Sequence, residues 1–77
     1  MTYNEFITEI WLSVANCPKS WRKGQKVFNT IEDLYGNVAR EVQFIDGVDC
    51  FYDDSDETIE LFINKCWYRM FSTNFKK

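Results

Sequence analysis

The reading of Asn37–Tyr52, NVAREVQFIDGVDCFY, decides the fold. Val38, Ala39, Val42 and Ile45 recur at the three- and four-residue spacing of a helix face, with Asn37 placed to cap it. Against this, EVQFI and VDCFY flank Asp46-Gly47, the commonest signal for a tight hairpin turn. A lone two-stranded hairpin is marginal in water and needs a packed face from elsewhere. The run Asn-Val-Ala-Arg-Glu-Val carries helix-forming chemistry straight into Gln43, so the helix is favoured. An α+β domain with a hairpin over residues 42–52 is the alternative.

The flanking segments are helical on their own spacing. Upstream, Ser20 is placed to cap a helix whose apolar stripe is Trp21, Gly24, Val27, Phe28, Ile31, Leu34 and Tyr35, with Gly36 as a left-handed terminator. A glycine inside such a stripe costs about 1 kcal/mol against alanine, so Gly24 predicts that another backbone or a ring crosses there. Further upstream, Thr2-x-x-Glu5 fits a capping box ahead of Tyr3, Phe6, Ile7, Ile10, Trp11 and Val14, and Cys17-Pro18 closes that helix. Downstream, Asp54-x-x-Glu57 offers a second capping box for a stripe of Ile59, Phe62, Ile63, Cys66, Trp67 and Met70, broadened by Leu61, Tyr68 and Phe71. The expected fold is all-α: one domain over residues 1–77, three main helices and a short third segment around a Trp- and Phe-rich core.

Composition agrees. The chain has 77 residues, 45% hydrophobic and 18% aromatic, with three Gly and one Pro, which is too apolar for disorder and too poor in turn residues for many strands. A chain this short buries only about 60 to 65% of its unfolded surface, leaving little room for an enclosed active site. No apolar run reaches the length of a membrane span, and MTYNEFITEIW carries acids where a secretory signal carries Lys or Arg, so a cytoplasmic location is expected. Cys17, Cys50 and Cys66 lack CxxC spacing and there is no His, so reduced thiols are expected and no zinc site.

The net charge of -3 is unevenly laid out. Asp46, Asp49, Asp53, Asp54, Asp56, Glu57 and Glu60 occur with no Lys or Arg among them, while Lys19, Arg22, Lys23 and Lys26 form an earlier basic cluster. Lys65, Arg69, Lys76 and Lys77 add positive charge near the end. No register of the acidic stretch meets the calcium-loop pattern of alternating oxygen ligands, a central Gly and a final bidentate Glu. Helix capping explains Asp53, Asp54, Asp56 and Glu57; Asp46, Asp49 and Glu60 exceed what capping requires. Without His, a Gly-rich phosphate loop or a marked carboxylate pair, no catalytic residue, metal or cofactor is expected.

WRKGQKVFN at Trp21–Asn29 and DCFYDDS at Asp49–Ser55, followed by an apolar helix, resemble small uncharacterised proteins encoded by bacteriophages and prophages. The resemblance implies a context: small acidic phage proteins often bind one host protein and block it, including components of defence systems. The resulting expectation is a non-enzymatic protein-binding module in the host cytoplasm, inhibiting a host protein that has a basic surface. Its expected contacts are Asp49, Phe51, Tyr52, Asp53 and Asp56. Capping and loop anchoring explain each of these singly; only the combined surface argues for docking. One alternative is a homo-oligomer that traps a nucleotide signal between subunits through Arg22, Gln25 and Asn29. Another is a nucleic-acid-binding regulator using Lys19, Arg22, Lys23 and Lys26 beside Trp21, which an isoelectric point near 4.8 opposes.

Overall fold

In the computed structural model, which describes residues 2–72, Thr2 opens the first helix by a reciprocal cap. Its hydroxyl accepts the Glu5 N–H at 3.1 Å, and the Glu5 carboxylate accepts the Thr2 N–H at 2.7 Å. Helix α1, Tyr3–Val14, buries Phe6 and Ile10 and rests Ile7, Trp11 and Val14 against the same core. It closes before Pro18 forces it to: the N–H groups of Ala15, Asn16 and Cys17 bond carbonyls three residues back, tightening the last turn.

Helix α2, Lys23–Tyr35, starts later than the sequence implies. Ser20 lies in a turn closed by the Trp21 N–H on the Pro18 carbonyl at 3.0 Å, so it does not cap, and Trp21 sits outside the helix on the surface. The α2 cap comes instead from across the molecule. Asp54 Oδ1 accepts the Lys23 N–H at 2.8 Å, and the Asp53 carbonyl accepts the Gly24 N–H at 2.9 Å. Val27, Phe28 and Ile31 fill the core from this helix, whereas Leu34, placed in the stripe by its spacing, is exposed. Gly36 ends α2 at φ 78° and ψ -137°, a positive-φ conformation that suits glycine but is not the left-handed one its role as a terminator suggests.

The deciding stretch is helical, and no strand occurs among the described residues. Helix α3, Val38–Glu41, runs directly into a π-helical turn, Val42–Asp46, that stops at Gly47 with φ 72°. The N–H groups of Gly47 and Val48 both reach the Val42 carbonyl, so Asp46-Gly47 terminates a helix and does not turn a hairpin. The wider π-turn also changes the register. Ala39 and Val42 are buried, but Ile45, expected on the same face, rotates into solvent.

Helix α4, Asp56–Ser72, buries Ile59, Phe62, Ile63 and Cys66. Trp67 packs its ring on Phe6 at 5.4 Å, Tyr3 at 5.5 Å and Phe71 at 4.1 Å, joining α1 to α4. Leu61 and Tyr68 are exposed, so the buried stripe is narrower than the sequence suggests. Asp54 does not form the expected capping box, because its carboxylate is turned onto α2. Ser55 precedes the first helical residue and its carbonyl accepts the Ile59 N–H at 3.0 Å. Tyr3 donates to Asn64, and Tyr35 donates to Glu9, tying α1 to α4 and to α2. Partial burial and the neighbouring Glu9 carboxylate push the Tyr35 hydroxyl up to about 12. Lys76 and Lys77 lie outside the described residues.

Gly24 is where the two halves meet. A Cβ there would stand 1.6 Å from the Cys50 carbonyl oxygen and 2.8 Å from that of Asp53, both backbone atoms that cannot swing aside. Gly36 and Gly47 have open space and only their positive φ to satisfy. Gly24→Ala is therefore expected to lower stability by about 3 kcal/mol or more and Gly47→Ala, at a left-handed position, by about 1 to 2, because overpacking costs more than a single left-handed residue. Denaturant titration of the two variants checks this; equal midpoints would contradict the close approach.

Candidate functional site

The acidic stretch and the basic cluster, far apart in sequence, face each other in the fold. Asp54 accepts from the Arg22 guanidinium at 2.9 Å as well as from the Lys23 N–H, and the Lys23 ammonium donates to Asp56 at 2.8 Å. The Lys23 N–H and the Arg22 guanidinium hold the Asp54 carboxyl below its ordinary value, and Asp54 in turn raises Arg22. Asp56 likewise raises Lys23. The two charge clusters of the sequence are thus joined by two ion pairs, Arg22–Asp54 and Lys23–Asp56.

The five expected contact residues divide accordingly. Asp49 accepts the Phe51 N–H at 2.9 Å and Asp53 accepts the Ser55 N–H at 2.8 Å, two turns that shape the loop while leaving each carboxylate without an ion pair among the described residues. Asp56 is paired with Lys23. Phe51 is half-buried, edge-on to Phe28 at 5.4 Å, and acts as a core pin. Tyr52 stacks on Phe51 at 4.9 Å and is 79% exposed. Of the alternative set, Arg22 is paired with Asp54, Gln25 is half-buried on α2, and Asn29 lines a groove.

That groove, of about 430 Å³, lies between the second half of α2, the α3 and π-turn unit, and the Phe51–Tyr52 loop. Phe28 and Phe51 line its apolar side, Asn29 and Gln43 contribute carboxamides, and Glu32 pairs with Arg40 at 2.8 Å. Phe44 and Tyr52 stand at its edge. Phe44 is 78% exposed and its neighbour Ile45 68%. The sequence reading missed Phe44, Ile45, Gln43, Glu32 and Arg40 as site residues. One signal was present: Phe44 falls off the Val38, Ala39, Val42 stripe, an aromatic aimed away from the face that its own helix buries.

The π-turn is fixed in place from below. Arg69 on α4 donates through Nε to Asp46 at 3.2 Å and approaches Glu41 at 3.6 Å, so both ends of the turn are held by one guanidinium. Hydrogen bonding to Asp46 raises Arg69 further, which keeps the clamp charged.

The two buried thiols, Cys50 and Cys66, offer little reactivity. Burial, reinforced by Asp49 and Asp53, pushes Cys50 up to about 12, and burial beside Cys50 raises Cys66. Both are protonated at neutral pH and so are poor nucleophiles. Among the described residues no group of His, Cys, Asp or Glu is arranged to hold a metal ion. No protein-family model, no curated protein and no solved structure matches the chain.

Two predictions separate anchoring from display. Phe51→Ala should destabilise by about 2 to 3 kcal/mol, since it empties a ring site against Phe28, whereas Tyr52→Ala should leave the melting temperature nearly unchanged. Thermal melts of both variants check this. The Asp54 carboxyl is held below its ordinary 3.8 in the folded state, so its contribution is complete above that value and is lost as pH falls through the lowered one. Wild type should melt above Asp54→Asn at pH 7, and the gap should shrink below about pH 4. Glu5, also lowered, is common to both proteins and cancels in the difference.

Proposed function

We propose that the chain is a protein-binding module that acts by occlusion, covering a surface of one partner with the patch formed by Phe44, Ile45 and Tyr52. The observation that supports this is the exposure of these side chains at 78%, 68% and 79%. Single exposed apolar residues are ordinary on protein surfaces. Here two lie next to each other on a clamped π-turn, and Phe44 shares a groove with Tyr52. Aromatic side chains that become buried at the centre of an interface often carry much of its binding energy.

A standard interface takes about 800 Å² from each partner, within reach of a domain this size. The acidic part of the surface is narrower than the sequence suggests: Asp49 has no ion pair among the described residues and can face a basic partner, Asp53 lies within electrostatic reach of Arg22, and Asp54 and Asp56 are engaged by Arg22 and Lys23. The resemblance to phage-encoded proteins supplies the partner's context, a host protein in the host cytoplasm whose activity, including defence, is blocked. Occlusion needs no catalytic group, cofactor or metal.

Affinity capture tests the reading. Wild-type protein immobilised from its C-terminus should retain one host protein in near-stoichiometric amount. The Phe44→Ala, Tyr52→Ala double variant should retain it at least tenfold less well while melting at nearly the same temperature. Leu12→Ala, an exposed apolar change on α1, should not affect capture. Equal retention by the double variant would remove the patch from the interface.

A further inference from the structure

The groove beside the patch carries chemistry that selects what a partner presents. Asn29 from α2 and Gln43 from the π-turn are both half-buried, and neither carboxamide forms a hydrogen bond among the described residues. A carboxamide offers a donor and an acceptor side by side, the complement of one peptide unit. A helical partner has no main-chain groups to give in return, because its own i to i+4 bonds occupy them. An extended segment has them free along both edges.

Charge narrows the choice further. Glu32 and Arg40 neutralise each other at 2.8 Å, so the groove itself is close to neutral. Asp49 and Asp53 bracket Phe51–Tyr52 in the chain; Asp53 lies within electrostatic reach of Arg22, whereas the exposed Asp49 has no ion pair among the described residues. A positive side chain next to an apolar one complements this edge, and the exposed Tyr52 ring adds a face suited to a cation.

We infer that the groove receives an extended segment of the partner. Its main chain bonds to Asn29 and Gln43, an apolar side chain lodges between Phe44 and Tyr52, and a neighbouring Lys or Arg faces Asp49. The inference rests on the protein-binding reading and specifies the form and charge of what is bound.

Nitrogen-15-labelled whole protein titrated with two blocked hexapeptides, acetyl-KKVLKK-amide and acetyl-EEVLEE-amide, tests it. The side-chain amide resonances of Asn29 and Gln43 should shift saturably with the basic peptide and at least tenfold more weakly with the acidic one. Gln43→Ala and Tyr52→Ala, each shown by circular dichroism to keep the helical fold, should weaken the basic peptide at least fivefold. Absence of any shift at several millimolar peptide, or equal response to both peptides, would overturn the inference. So would shifts confined to Phe44 and Ile45 that leave the two carboxamides unmoved; that result keeps the patch reading and removes only the groove. Saturable shifts of the same amides with adenosine monophosphate but not with peptide would assign the groove to a nucleotide instead. Loss of the patch reading is seen separately, in the capture experiment.

Discussion

The passage of the Cys50 carbonyl over the bare Cα of Gly24 is the contact on which the remaining architecture depends. It brings residues 50–54 onto the first turn of α2, where unpaired N–H groups need acceptors. Asp53 supplies its carbonyl to Gly24 and Asp54 its carboxylate to Lys23, so one loop serves as the cap of a helix about thirty residues upstream. The Cys50 thiol meets the Gly24 carbonyl in return. With the loop seated there, Phe51 falls against Phe28, and Tyr52, the next residue, points outward.

A second constraint shapes the exposed patch. Arg69 holds Asp46 and Glu41 together and so keeps the π-turn between them. An i to i+5 turn advances fewer degrees per residue than an α-turn, and the accumulated difference carries Ile45 off the core face that its spacing assigns. Leaving a large apolar side chain in water forgoes roughly 1.5 to 3 kcal/mol relative to burial. Three such side chains on one turn and its neighbouring loop are a sizeable concession in a small domain, and binding offers a physical reason for it.

The charges act locally. The sequence separates positive residues 19–26 from negative residues 46–60, a pattern that suggests long-range steering. In the fold Arg22 and Lys23 meet Asp54 and Asp56, and exposed pairs of this kind are screened and contribute little to stability. Their main effect is to fix the loop and to leave Asp49, which has no ion pair among the described residues, beside the Phe51–Tyr52 pair. In the complex we propose, apolar contact sets affinity at this surface and charge sets which partner is accepted.

By itself the sequence determined the helical class, the cap at Thr2 and Glu5, the stop at Gly36 and most of the core, because these follow from spacing and from residues within one turn of each other. It also marked Gly24 as a place of close approach, since a glycine in an apolar stripe has few other reasons to be there. The partner of Gly24 could not be read, because the atom that touches it is a backbone carbonyl, which every residue carries. Asp54 was assigned to the wrong helix for a related reason: a carboxylate near a helix start in sequence also lies near whichever other helix start the fold brings to it, and the second was nearer. Ile45 falls on the buried face only if the helical turn is uniform, whereas Phe44 lies off that face even at uniform spacing and was passed over as a site residue. Only the tertiary clamp from Arg69 to Asp46 and Glu41 accounts for the turn that is held wide, and with it the face that the protein shows to solvent.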